Sequence, residues 1–393
     1  MTEIGVAHWA ADCDGGGERV AWELGRTFDA PVHLGSRNRR IEPADVECRH
    51  AFESTAVGVA QQTRLRFVAD LLAWERADRL REFATLVTSG NPTLRYVPED
   101  DQTWVAYIHH TRRAETDRFG EIGGGAVSVV RQLKMMAERI LHSSASSRPD
   151  LIVCNSEIVA RRARRYWGVD SDRLRVVHPP VDVGGLSPTV AETQDHYLAL
   201  GRLAPNKRVA DLAARWSEHA GDRQLLVAGD GPERDRVEAA AGRNVSVLGR
   251  VSEERKRELL SSARGLIMPA DSEDFGIVPV EALASGTPVI GVREGMTQYQ
   301  IQEEITGHTF EWNSVSSLIK AVTRLERDGV DRSPTEIAEW ATRFGRSRFR
   351  EEMQAVVAEA QDRASVEPEL FDDAPEPAVG EPVAVADGGV DDE

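Results

Sequence analysis

Short apolar runs recur along the chain, each followed by a stretch with helical spacing. In the first half they lie at 4–9, 104–109, 151–154 and 174–178. In the second half they lie at 196–200, 224–228, 245–248, 265–268 and 288–292. The second set repeats every 20–28 residues, the length of a strand plus a crossover helix, and predicts parallel sheets covered by helices. Val20, Leu24 and Phe28 are spaced by four, as one buried helix face requires. The rhythm breaks at 183–195, where Gly184, Gly185 and Pro188 follow His178-Pro179-Pro180. The expected organisation is a first α/β domain over 1–182, a linker over 183–195 and a second over 196–333. A last helix is expected from Pro334 to about Arg363, with Trp340, Phe344, Phe349, Met353 and Val357 on its apolar face.

Composition sharpens this picture. The 393 residues suit two or three domains. Acids number 65 against 48 Lys plus Arg, a net charge of −17, which argues against a main role in gripping nucleic-acid phosphates. Ten of those acids, with no base, lie in 366–393, a stretch expected to be a disordered acidic tail. The remaining chain is only mildly acidic. Only four basic residues are lysines, a bias that fits either a salt-loving organism or a GC-rich genome. Cys13, Cys48 and Cys154 are scattered, with no metal or disulfide spacing, and read as reduced thiols. The first ten residues lack the basic region of a leader peptide. The weakly polar stretch 275–292 contains Glu281, glycines and prolines, unlike a membrane span. These features predict a cytoplasmic location.

Four motifs carry candidate chemistry. Glu273 and Glu281 stand eight apart in Glu-Asp-Phe-Gly-Ile-Val-Pro-Val-Glu, around a glycine turn and a helix start. Pro279 suits the first helical position, which places Glu281 in the first turn. Free amides at 275–278, with the helix dipole behind them, suit an anion, and flanking carboxylates suit sugar hydroxyls. Arg202 and Lys207 follow the 196–200 strand, at the carboxyl edge where open α/β sheets bind ligands. Gly15-Gly16-Gly17 follows the first strand and allows close approach of a ligand, or simply a tight turn. Tyr107-Ile108-His109-His110-Thr111-Arg112-Arg113 ends a strand with two imidazoles, either of which suits a sugar hydroxyl or a structural bond. Basic clusters at 37–40, 131–139 and 161–165 suit either solvated helix faces or an anionic membrane surface.

The stretch from Glu273 to Gly286 resembles the Glu-x7-Glu signature of retaining GT-B glycosyltransferases of family 4, and the other motifs occur in that family's order across roughly 4–355. The likeness is strongest to its mannosyltransferase-like branch. It implies an α/β GT-B fold of two Rossmann-like domains with a cleft between them. The first would take the acceptor and the second a nucleotide-sugar donor, with a helix over 334–365 crossing back. By this resemblance Glu273 and His109 are the catalytic candidates. Arg202, Lys207, Phe275, Gly276, Ile277 and Glu281 bind the donor, with Glu281 on the ribose and Arg202 and Lys207 on the pyrophosphate. Gly16, Gly17 and Arg113 face the phosphates or the acceptor.

Aligned on Tyr107, His109, Arg113 and Asp117 match the family, whereas Thr111, Ala114 and Thr116 stand where it has proline, tyrosine and tryptophan. Asp12-Cys13-Asp14 spells the metal motif of another fold, in the wrong context here, so no cofactor or essential metal is expected. The implied reaction is retaining transfer of a hexosyl group, mannosyl by the branch, to a lipid-linked glycan or polysaccharide precursor. Peripheral contact with a membrane would fit such an acceptor. A nucleotide-sugar 2-epimerase and a non-catalytic subunit of the same fold are the alternatives.

Overall fold

A computed structural model describes residues 4–12, 15–52, 73–75, 77–111, 113, 116–117, 126–186, 188 and 195–371. Cys13, Asp14, Arg112, Ala114 and the acidic stretch 372–393 lie outside the described residues.

Two all-parallel sheets organise the chain. The first contains β1 Ile4–His8, β2 Val32–Leu34, β3 Cys48–His50, β4 Thr85–Ser89, β5 Thr103–Ile108, β6 Leu151–Cys154 and β7 Leu174–Val176. Their spatial order is 3-2-1-4-5-6-7. The second contains β8 His196–Leu200, β9 Gln224–Ala228, β10 Val245–Gly249, β11 Gly265–Met268, β12 Val289–Val292 and β13 Gly307–Phe310, in the order 10-9-8-11-12-13. The nine apolar runs all form strands. The pattern missed β2, β3, β13 and β4, the last because Thr85, Thr88 and Ser89 interrupt its apolar run although all five positions are buried. In each sheet the order reverses beside the first strand of the domain, between β1 and β4 and between β8 and β11. Loops diverge there at the carboxyl edge and leave a crevice.

Helices α1 Gly16–Phe28, α2 Ala126–Ala145 and α3 Glu157–Arg162 belong to the first domain. Helices α4 Val209–His219, α5 Arg234–Ala240, α6 Glu253–Ser262, α7 Ile277–Ala284, α8 Thr297–Gln300 and α9 Val315–Asp328 belong to the second. Each sheet is packed on both faces. Val6, Val20 and Leu24 fill one side of the first and Trp104, Trp74 and Trp167 the other. Leu212, Trp216 and Val227 fill one side of the second and Leu266, Leu283 and Val289 the other.

The expected last helix is two. α10 Pro334–Ala341 starts on a capping box between Ser333 and Glu336, and α11 Arg346–Phe371 follows a break at Gly345, whose φ of −73° and ψ of 163° are extended. The apolar positions divide at that break. Ile337 and Phe344 join the second domain's core, while Phe349, Met353 and Val357 join the first domain's. α11 continues past Arg363 through Phe371, so the start of the acidic stretch is helical.

Candidate active site

The carboxyl edge of the first sheet places three side chains at its switch point. β1 ends on His8 and β4 ends on Ser89, paired in register. The Ser89 hydroxyl lies 3.1 Å from His8 Nδ1 and 2.7 Å from His109 Nε2, joining a buried histidine to the one that follows β5. His8 is fully buried and its Nε2 has no hydrogen-bond partner. Burial lowers the His8 pKa to about 4. Burial, with His8 and His110 nearby, holds His109 well below the ordinary histidine value, so both rings are neutral at pH 7.

The glycine loop meets this pair. α1 begins at Gly16 behind Gly15, which is extended and offers no side-chain cap, so the first amides stay open to another acceptor. A β-carbon on Gly17 would stand 3.6 Å from His8 Cε1 and 3.7 Å from His109 Nε2, and one on Gly16 would stand 3.1 Å from Ile277 Cδ1 across the cleft. His110 is exposed and contributes its carbonyl to Asn91 Nδ2 at 2.8 Å, so of the two strand-end imidazoles His109 is the one beside the glycine loop.

Facing it is the carboxyl edge of the second sheet. Arg202 and Lys207 follow β8 and line a cavity of about 160 Å³ with Met268 and Val278. Lys207 Nζ donates to the Glu273 carboxylate. The Glu273 carbonyl accepts from the Met296 amide at 2.8 Å, so the segment after β12 holds the loop. The Phe275 ring turns into the core, 5.4 Å from His178 and 5.6 Å from Phe344. Gly276 caps α7 at a φ of 82° and carries no side-chain cap. α7 starts at Ile277, so Pro279 is its third residue rather than its first, and Glu281 sits in the second turn rather than the first. The Glu281 carboxylate is nearly buried and accepts from Lys256 Nζ at 3.1 Å and Arg19 Nη1 at 3.3 Å. Arg19, Lys256 and Glu281 share a cavity of about 250 Å³ with Arg26, Glu253 and Arg346.

Ion pairs join the two edges. Arg113 binds Asp117 at 2.8 Å within its own loop and Asp271 at 3.1 Å across the cleft, and Arg208 also reaches Asp271, at 3.3 Å. Arg162 is nearly buried and meets Asp274 at 2.5 Å. Burial raises the Asp274 pKa to about 6 against the lowering pull of Arg162.

His109, Gly16, Gly17 and Arg113 thus gather on one side, and Glu273, Arg202, Lys207, Phe275, Gly276, Ile277 and Glu281 on the other. His8, Ser89, Arg19, Lys256 and Asp271 were not singled out from the sequence, and Arg162 and Asp274 lay inside the 161–165 cluster and the glutamate motif without a site role. Lys256 had one available signal, as one of four lysines placed on a helix four residues from buried Leu260. The rest depend on strand order and domain contact. Among the described residues no group of three or more His, Cys, Asp or Glu side chains is arranged to hold a metal ion.

Comparison with known proteins places this geometry in context. The family model described as glycosyl transferases group 1 matches residues 187–343, and the model described as Glycosyltransferase Family 4 matches residues 14–184. D-inositol 3-phosphate glycosyltransferases of Mycobacterium bovis and Mycobacterium tuberculosis are 28% identical over 198 residues, 45% of this chain. That match spans 41% of the length of those relatives. The fold is similar to the lipopolysaccharide outer core galactosyltransferase WaaB in its apo form, with a TM-score of 0.66 at 15% identity, covering 91% of this chain and 99% of that one. It is also similar to Anabaena Alr3699/HepE in complex with UDP, with a TM-score of 0.65 at 15% identity, covering 91% and 100%.

Proposed function

The chain belongs to the group 1 glycosyltransferases of family 4 and has their two-domain GT-B fold, and from that premise we propose that it transfers a hexosyl group from a nucleoside diphosphate sugar to a glycan hydroxyl. The observation that carries this reading is the meeting of Lys207 with Glu273 beside the open amides of α7, with Glu281 eight residues on. Cations and amides suit a diphosphate, and the two carboxylates suit sugar and ribose hydroxyls.

In this reading Arg202, Lys207 and the amides of Phe275, Gly276 and Ile277 receive the diphosphate, Glu281 the ribose and Glu273 the transferred sugar. The anomeric C1–O bond breaks with its electron pair leaving on the diphosphate. The acceptor oxygen bonds to C1 on the same face, and its proton passes to the departing phosphate oxygen. Ser89 occupies Nε2 of His109, so Nδ1 is the ring nitrogen that meets a sugar hydroxyl or the reacting centre. Fixed donors around the departing charge supply the largest part of the rate, about 100–1,000-fold for each contact. Gly16, Gly17 and Arg113 border the space left for the acceptor. No step uses a metal. Uridine and guanosine donors are both reasonable: Anabaena HepE is described in complex with UDP-glucose, and the sequence branch points to mannose. The proposed acceptor is a lipid-linked glycan or polysaccharide precursor.

The test is incubation with UDP- and GDP-hexoses and polyprenyl-linked acceptors, read by mass spectrometry, with and without EDTA. Transfer that survives EDTA and vanishes in a folded Glu273→Ala variant is expected. Donor epimerisation without transfer, or full turnover by Glu273→Ala, would overturn the reading.

A further inference from the structure

Five of the eight large hydrophobic residues exposed among the described residues lie on one helix, α2. Val129, Leu133, Met136 and Ile140 are exposed by 53%, 60%, 49% and 66%. Their spacing of four, three and four puts them on one stripe of the helix. Arg131 and Lys134 are also exposed, on the side of the helix away from the stripe, and Lys134 Nζ lies 3.7 Å from Glu138 Oε1. The helix has a single acid, Glu138, which is buried, so no carboxylate stands on its exposed face. This is a local exception in a chain of net charge −17.

The structure also gathers two basic clusters that the sequence keeps apart. α3 runs on into a π-helical turn, Ala163–Trp167, that packs against α2. Arg139 Nε donates to the Tyr166 carbonyl at 3.2 Å, and the Arg139 guanidinium lies 5.3 Å from the Tyr166 ring. Ser143 Oγ donates to the Trp167 carbonyl at 2.6 Å. Exposed Arg164 and Arg165 therefore stand beside the helix that bears the stripe.

We infer that α2 and the adjoining π-turn form a docking face that lies on an anionic lipid bilayer, apolar stripe inserted and arginines at the headgroups. No helix among the described residues is long and apolar enough to cross a membrane, so the contact is interfacial. Charge complementarity selects the lipid over a second copy of the chain. Two such faces would set cation against cation, whereas anionic headgroups neutralise them. The inference does not depend on the donor chemistry, and its test reads binding rather than turnover.

The full chain is to be sedimented with phosphatidylcholine vesicles and with vesicles that also contain phosphatidylglycerol. Binding to the second, weakened by salt, is expected. A Leu133→Glu, Ile140→Glu variant should lose about tenfold or more in vesicle affinity, and Arg164→Gln, Arg165→Gln should lose the preference for anionic lipid. Both should keep the wild-type thermal melt, since the replaced groups face solvent; should the first misfold, the second carries the test. Wild-type protein that stays in the supernatant, or variants that bind undiminished, would overturn the inference. So would a wild-type dimer in sedimentation velocity that the Leu133→Glu, Ile140→Glu variant converts to monomer, which would assign the face to a second copy.

Discussion

At the scale of single residues the least expected feature is the His8–Ser89–His109 chain. His8 sits in an apolar run that reads as strand, and Ser89 belongs to no motif. Only the pairing of β1 with β4 brings them together, and no local pattern encodes that pairing. Burial has a consequence that can be measured. The folded protein holds His8 neutral down to about pH 4, whereas an exposed histidine protonates near 6.5. The unfolded chain thus takes up a proton between those values that the folded one refuses. Stability from this group is complete above pH 6.5 and is lost as pH falls toward 4, by about 3 kcal/mol. Denaturant midpoints at pH 7 and pH 5 should draw closer in His8→Gln than in wild type. His109, lowered in the same direction, keeps part of the slope. An unchanged pH dependence would remove His8 from this account.

At the scale of elements, α7 and its approach loop matter most. The helix follows a glycine at a φ of 82°, a conformation that side chains rarely adopt. Gly276→Ala should cost about 1–3 kcal/mol through that strain, even though the added carbon meets nothing closer than 3.6 Å. A thermal melt lowered by several degrees, with weaker nucleoside diphosphate binding, is the expected result. A full-strength melt would show that the turn relaxes freely. The glutamate pair and glycine turn of this loop were legible in sequence because they lie within nine residues. The helix start was misplaced by two, because Pro279 is tolerated anywhere in the first turn, where amides lack intrahelical partners. The division of the last helix was missed for another reason: Phe344 and Phe349 keep one apolar rhythm, and only the packing reveals that they serve different cores.

At the scale of the whole molecule, facing edges are held by charge. Arg113–Asp271, Arg162–Asp274 and Arg19–Glu281 each join one domain to the other. Arg162 is the most buried of the three cations. Arg162→Ala would leave the Asp274 carboxylate buried without its closest partner, at a cost of about 3 kcal/mol near pH 8. Because Asp274 titrates at about 6, protonation should remove most of that penalty in more acidic solution. Denaturant unfolding of the variant and wild type at pH 8 and pH 5 checks this: the gap should shrink at pH 5, and an equal gap at both values would contradict it. Such contacts were invisible in the sequence because the partners are 112–262 residues apart.

The central claim is that Arg202 and Lys207 receive a nucleoside diphosphate beside Glu273. Lys207 already neutralises that glutamate, so losing it removes a cation and also leaves a carboxylate facing the phosphates. Calorimetric titration of UDP and GDP into wild type, Lys207→Ala and Arg202→Ala tests this most directly. The account predicts binding of at least one nucleotide by wild type and an affinity weaker by about tenfold or more in each variant, the scale of a lost charge-assisted hydrogen bond. Wild type that binds neither nucleotide, or variants that bind as tightly as wild type, would contradict it.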